Sequence, residues 1–450
     1  MRTERTIGIW QRHWPWLFAA LGLALDCAAF WPGLMSFDSA QAWWQARHDA
    51  MNGITPPVFV LALRLSDWLG AGPAGVFALH LLLFWSGLAL LASALRWRPL
   101  TGCIALLVIA LSPLPWLLRA HVWTDVGLLA AATCTVGLLA QAQVAQRRAP
   151  WLLASLPCLA YAALLRHNAL PAVAPLLLWW STLVWPAASA ARHRLPRIFV
   201  SGGVLFAALF ALGSALDAQV RERIPVWPSL AQFDLAGMSV RTHRMLLPDF
   251  MIGPGLDVDE LAAAFRPWSN LSLFTTRDGI RSPFTPPLSG AELEQLRSAW
   301  LDAIAHYPRA WLAHRRAVTH ALVGTHPRDW PAGLIYVDTP TRYGDNPSLA
   351  TSDGALHRGL MHAADALRAT PALAAWPYLL CGLCAALIAW RRRAARSTCI
   401  AWITLASATL LFLPLFALAP SAEVRYLGWP CVASLLALAC ALVPTTTDAR

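Results

Sequence analysis

The chain alternates long apolar runs with short polar breaks. Runs long enough to cross a bilayer, roughly 20 residues each, lie near 14–32, 73–95, 100–116, 122–141, 151–165, 169–187, 198–216, 374–390, 398–419 and 426–443. This pattern predicts an all-α polytopic membrane protein with about ten transmembrane helices. A long polar interval separates seven runs from three. The expected organisation is therefore an N-terminal transmembrane module over 1–216 with an outer loop at 32–70, a mixed, mostly helical extracytoplasmic loop domain over 217–373, and the last spans within 374–450. The first run follows MRTERTIGIWQRHW and lacks a small-residue cleavage site, which reads as a retained anchor rather than a removed signal peptide.

Two of the polar intervals predict helices of their own. In the first outer loop, Ser36 or Asp38 is placed to cap a helix carrying Trp43, Trp44 and Arg47, an amphipathic pattern suited to the membrane interface. After Thr55, Pro56 and Pro57 a second helix of about 13 residues runs to Gly70, too short to span. In the long interval, FDLAGMS at 233–239 follows a proline-rich turn. Residues 291–324 read as two helices broken at Pro308, the second carrying Trp311, His314, Arg315 and His320.

Composition excludes an ordinary soluble or disordered chain: 57% of the 450 residues are apolar, 13% are charged, and 24 are Trp. The formal charge is +11, and all 35 cations are Arg, which rules out a lysine nucleophile or Schiff base. With the N-terminus taken as cytoplasmic, Arg clusters at 2–12, 96–98, 147–148, 192–197 and 391–396, with Arg450, face only Glu4 and Asp448. The interval 217–370 instead balances 15 Arg against 16 acids, so the positive-inside rule puts it on the opposite side and both termini in the cytoplasm. The nine Cys all fall in apolar stretches, which argues against a disulfide framework, and the C-x-x-C of Cys381 and Cys384 lacks His or acidic neighbours. No P-loop, dinucleotide glycine motif, G-x-S-x-G or H-E-x-x-H is present, so energy comes from the substrate or a gradient.

The remaining charges are few, and all but Asp26 fall at the outer ends of predicted spans. Ionisable groups at membrane depth are costly and usually functional. Asp38 reads as a helix cap, a general base or a ligand of a divalent cation. LLRAHVWTDVG supplies Arg119, His121 and Asp125, where Thr124 or Asp125 also suits a helix cap. LLRHNALP forms a hairpin so short that Arg166, His167 and Asn168 stand at the boundary, suited to gripping a phosphate or to snorkelling toward lipid headgroups. SAEVRYLGWP places Glu423, Arg425 and Tyr426 before the last span, where the acid and Arg425 could neutralise one another.

The segment from Trp31 to Leu65, with an acid in the first outer loop, an aromatic-rich interfacial helix and a Pro-Pro opening a second helix, resembles the GT-C superfamily of polyprenyl-phosphate-sugar-dependent glycosyltransferases. The resemblance is to the group holding the lipid A aminoarabinose transferase, the protein mannosyltransferases and the rhizobial core galacturonosyltransferases. It implies a multi-pass bacterial inner-membrane enzyme, active on its periplasmic face, that transfers a hexose or pentose from a polyprenyl-phosphate donor to a lipid or glycan acceptor of the cell envelope, such as lipopolysaccharide. It implies catalytic roles for Asp38 and Asp125, and donor or lipid-phosphate binding by Arg166, with Asn168, Arg425, Tyr426, Arg119 and His121 as further candidates. It leaves open a divalent cation on Asp38 and Asp125. Two departures stand out: Thr55 precedes the Pro-Pro where relatives often carry His or Lys, and Asp38 is a single acid where relatives carry a pair.

A lipid or sugar transporter or flippase is the alternative. It predicts internal repeats and polar groups near the midplane, and the sequence has no clear repeat. A scaffold without catalysis leaves the convergence of Asp38, Asp125, Arg166 and Arg425 unexplained.

Overall fold

The computed structural model describes residues 2–185, 191–220, 222–274, 279–325, 335–392 and 396–443; Arg393, Asp448 and Arg450 lie outside them. The described residues form helices, with isolated β-bridges but no strand. In chain order they are α1 (Arg2–Phe30), α2 (Phe37–His48), α3 (Pro57–Trp68), α4 (Pro73–Ala94), α5 (Pro99–Leu111), α6 (Pro113–Arg119), α7 (Thr124–Val144), α8 (Ala149–Leu164), α9 (Leu170–Val184) and α10 (Ala191–Asp217). The long loop carries α11 (Trp227–Thr242), α12 (Val258–Ala264), α13 (Leu271–Phe274), α14 (Gly290–His306), α15 (Pro308–Val323) and α16 (Ala355–Leu367). The chain closes with α17 (Trp376–Arg391), α18 (Arg396–Leu418) and α19 (Gly428–Leu442).

Every apolar run of the sequence is helical, but not every one is a full crossing. Six described helices are long and apolar enough to span, in α1, α4, α7, α10, α18 and the stretch from Val424 to Leu442. The run at 100–116 is broken into α5 and α6, bent by 64°. The cause is local: Ser112 precedes Pro113, and the proline ring drives the preceding residue out of the α region, here to ψ 130°. Helices α8, α9 and α17 hold 16, 15 and 16 residues, about 24 Å at 1.5 Å per residue, short of a bilayer core. Among the described residues the ten apolar runs thus comprise six helices of spanning length, one bent pair and three shorter apolar helices.

Helices α7 and α19 are the enclosed axis of the bundle, whereas α10 keeps Phe199, Val204 and Phe210 exposed, as a lipid-facing helix does. Small residues let α4 and α7 approach closely. A Cβ added to Gly87 would stand 2.6 Å from the backbone of Thr133 and Cys134. In the first outer loop α2 and α3 form as the sequence predicts. However, α2 buries Ala40, Ala42, Trp43 and Ala46 instead of floating on the surface, because the 335–353 stretch straps across it: Asn346 Nδ2 donates to the Ala40 carbonyl at 2.8 Å and the Thr341 amide to that of Met35 at 2.8 Å.

Candidate active site

Five segments meet at one end of the bundle, and backbone pairing fixes the first two. The Leu34 amide donates to the Ala120 carbonyl at 2.8 Å and the Val122 amide to the Leu34 carbonyl at 2.9 Å, a parallel bridge that lays the start of α2 against the α6–α7 loop. Ser39 Oγ donates to the Val122 carbonyl at 2.5 Å, and Trp123 Nε1 donates to Ser36 Oγ at 2.9 Å. The hydroxyl of Ser36 is therefore engaged across the loop, and no side chain caps α2 or α7. Asp38 and Asp125 sit in the first turns of those helices, and both carboxylates reach toward Arg425.

Between them lies a cavity of about 460 Å³, lined by Asp38, Thr55, Phe59, Trp123, Asp125, Arg166, His167, Asn168, Arg425 and Tyr426 and closed on the apolar side by Leu415 and Leu418. From the long loop, Trp227, Ser229 and Leu230 at the start of α11 form its roof.

The charges in it are interlocked. Arg425 reaches Asp38 at 2.5 Å and Glu423 at 2.5 Å, with Asp125 at 3.9 Å. Arg166 pairs with Asp125 and donates through Nε to Asn168 Oδ1 at 3.1 Å. Both guanidinium groups stack on aromatic faces, Arg166 on Tyr426 at 4.5 Å and Arg425 on Trp123 at 5.1 Å. Glu423 also accepts from Ser421 Oγ at 2.8 Å and the Tyr426 hydroxyl at 3.1 Å. Burial draws the Arg166 guanidinium down to about 10, aided by Arg425 and opposed by Tyr426 and Glu423; it stays charged at neutral pH. Arg166 is enclosed and committed to Asp125, so it does not snorkel to lipid headgroups.

The sequence candidates therefore divide. Asp38, Asp125, Arg166, Asn168, Arg425 and Tyr426 come together around one cavity, while Arg119 and His121 do not line it. Arg119 turns inward, donating from Nε to Asp26 at 3.2 Å and from Nη1 to the Pro115 carbonyl at 3.3 Å, with its guanidinium 4.4 Å from the Phe84 ring centre. Asp26, the charge that stood apart in the sequence, is its counter-ion and also accepts from Trp85 Nε1 at 2.9 Å. His121 is fully buried, stacked on Trp123 at 3.9 Å. Its Nδ1 lies 3.0 Å from the Leu117 carbonyl, and its Nε2 accepts from the Val337 amide at 3.0 Å, tying the long loop to the bundle. Burial pulls this imidazole down to about 4 despite the flanking backbone hydrogen bonds, with Arg425 pushing the same way.

The roof formed by Trp227 and Leu230 was outside the sequence candidates. Its signal was the Trp-Pro at 227–228, a proline in the first turn of a helix. Among the described residues no group of three His, Cys, Asp or Glu side chains is arranged to hold a metal ion, and Asp38, Asp125 and Glu423 are each tied to an arginine. That donor set does not fit a divalent cation.

A second cavity of about 140 Å³ shares Pro56, Arg166 and His167 with the first and extends between α3, α8 and α10 past Leu209 and Gly213. Leu209 also lines a groove of about 310 Å³ walled by Leu156, Leu159, Leu177 and Leu205. Polarity falls along this path from paired charges to aliphatic side chains.

No protein-family model and no curated protein matches the chain. Among solved structures, one of ArnT from Cupriavidus metallidurans bound to undecaprenyl phosphate matches at 15% identity over 95% of this chain and 77% of that one, with a TM-score of 0.33.

Proposed function

We propose that the chain is a membrane glycosyltransferase that moves a sugar from a polyprenyl-phosphate donor to an envelope acceptor, with inversion at the anomeric carbon. The observation that carries the reading is the pairing of Asp38 and Asp125 with Arg425 and Arg166 in one cavity, beside a second cavity that shares Arg166 with it and shares Leu209 with an aliphatic groove. An amphiphile with a phosphate at one end and a long hydrocarbon tail matches that succession of linings, and Arg is the residue best suited to hold phosphate by paired hydrogen bonds. The motif order in the sequence supports the same class.

In this reading Arg166 and Arg425 exchange their carboxylate partners for the donor phosphate. The exchange frees Asp38, whose side chain is 59% exposed, for the acceptor. The acceptor hydroxyl gives its proton to Asp38 as its oxygen bonds to the anomeric carbon. The bond from that carbon to the phosphate oxygen breaks, and the two arginines stabilise the charge left on the polyprenyl phosphate. Before the donor binds, Asp125 holds Arg166; once that pair has opened, Asn168 keeps the guanidinium oriented through Nε. No step is assigned to a metal. The roof from α11 excludes water and faces the acceptor. In this reading the protein sits in the bacterial inner membrane; the arginine distribution supports a periplasmic site with both termini cytoplasmic.

Transfer of radiolabelled sugar from a panel of polyprenyl-phosphate sugars to an extracted envelope fraction tests the reading. Wild type should transfer label and Asp38→Asn should not. A folded Asp38→Asn protein with full activity would remove Asp38 from the mechanism. Undecaprenyl phosphate binding with no donor consumed would favour a lipid carrier.

A further inference from the structure

The long loop contains a second charged cluster that the proposed chemistry does not use. Asp234, in the middle of α11, is fully buried with His314 and Arg315 of α15. Its Oδ1 lies 2.5 Å from Arg315 Nη2 and 3.2 Å from His314 Nε2, and its Oδ2 accepts from Trp300 Nε1 at 2.9 Å and Trp311 Nε1 at 3.1 Å. Burial works against this carboxylate, but the hydrogen bonds and charges of His314 and Arg315 outweigh it and hold Asp234 below the usual range. Gly237 is the reason α11 can lie so close: a Cβ there would collide with the His314 ring.

The cluster points in two directions. Within α11 the Asp234 anchor lies one turn beyond Leu230 and two beyond Trp227, the residues that roof the cavity. Toward the bundle, Arg315 Nη1 donates to the Ala419 carbonyl at 2.7 Å, just past the end of α18. Three residues on, the Ala422 amide donates to the Trp268 carbonyl of the same loop at 2.9 Å. The turn from Ala419 to Glu423 is thus held from the long loop at both ends, and it leads directly to Arg425.

We infer that Asp234, His314 and Arg315 are a positioning hub that sets the α11 roof and the Arg425 turn in register on opposite sides of the cavity. The inference rests on reading that cavity as the lipid-phosphate site. A buried ion cluster is weak evidence for stability in itself, since an apolar replacement often does as well, and its best-attested use is to specify one arrangement. Here the arrangement specified is the distance from the loop to the phosphate-holding arginine. A misplacement of about 1 Å is enough to cost a reaction up to roughly a hundredfold.

The test uses the full-length protein in detergent and the variant Arg315→Lys, whose single nitrogen cannot serve both Asp234 and Ala419. Asp234→Asn, which keeps an acceptor for the indoles, replaces it should the first fail to fold. Glu292→Gln, which breaks the Arg281 pair elsewhere in the loop, is the comparator for general loss of stability. Hydrogen exchange of the amides from Ala422 to Tyr426 and the affinity for undecaprenyl phosphate are measured on each. The hub predicts faster exchange in that turn and an affinity weaker by roughly tenfold or more in the hub variant, with neither change in Glu292→Gln. Exchange no faster than in the comparator overturns the hub, and so does faster exchange with unaltered affinity. A wild type that does not bind undecaprenyl phosphate overturns the proposed function instead, and the exchange comparison still decides whether the hub sets the turn.

Discussion

Arg119 with Asp26 and Arg425 with Asp38 are pairs of the same chemistry, yet they have opposite settings. In the first, both side chains are almost completely enclosed, at 1% and 7% exposure, and the guanidinium lies within 4.4 and 5.4 Å of the ring centres of Phe84 and Trp85. One carboxylate meets one arginine, and an indole N–H takes up a remaining lone pair. In the second, three carboxylates share two arginines and Asp38 is 59% exposed toward a cavity. A closed pair with matched charges holds helices together. A cluster with surplus carboxylate and an open side can trade partners, and partner exchange is what binding a phosphate requires.

The sharpest way to break this contrast is to remove a partner from each pair. Arg119→Met leaves Asp26 buried without its counter-ion and should cost about 3–5 kcal/mol of stability; thermal unfolding checks it, and an unaltered Tm would place the pair among dispensable contacts. Arg425→Gln should instead lower transfer by about 10²–10³-fold, the usual loss of one donor to developing charge, with the turnover of folded protein as the readout. Comparable transfer by the two variants per folded molecule would erase the distinction between the sites.

Titration sharpens the contrast further. His121 is held near pKa 4 in the fold, against 6.5 when free. Between those values the unfolded chain binds the proton and the folded one does not, so stability rises with pH across the window. The contribution is fully present above pH 6.5 and lost as pH falls toward 4, a swing of up to about 3.5 kcal/mol at 1.4 kcal/mol per unit. The destabilisation caused by His121→Gln should therefore be largest near pH 7.5 and shrink toward pH 4.5; a cost that is the same at both would contradict the neutral buried imidazole. The smallest effect belongs to Asp38→Asn on stability. An exposed carboxylate should shift unfolding by no more than about 0.5 kcal/mol, so a Tm close to wild type, alongside lost transfer, would separate chemistry from fold.

Much of the helical layout was legible because bilayer length and apolar composition are local properties. The ten apolar runs are helical where they are described, the run at 100–116 as two helices, and the break at Pro308 and the two short helices after Trp31 lie where the sequence places them. The crossings themselves were less legible. A hydropathy window does not register that Ser112 must leave the α region before Pro113, or that α8, α9 and α17 stop short. In the site, the order of Asp38, Asp125, Arg166 and Arg425 was readable because charges at span ends are rare. The separate fates of Arg119 and Arg166 were not: both end apolar runs, and only the direction of the side chain tells them apart.

The sequence alone determined that the chain is helical, apolar on the scale of a membrane, and equipped with arginines and acids at the ends of its spans, since these follow from composition and periodicity. Tertiary structure decided which acid meets which arginine. Asp26 and Arg119 are 93 residues apart, and Asp38 and Arg425 are 387 apart. No local pattern specifies those distances; they are set by the packing of α7 and α19 and by the long loop that closes over them. The α11 roof and the hub on Asp234 belong to the same class, because burying a charge is tolerated only where the whole fold delivers its partners.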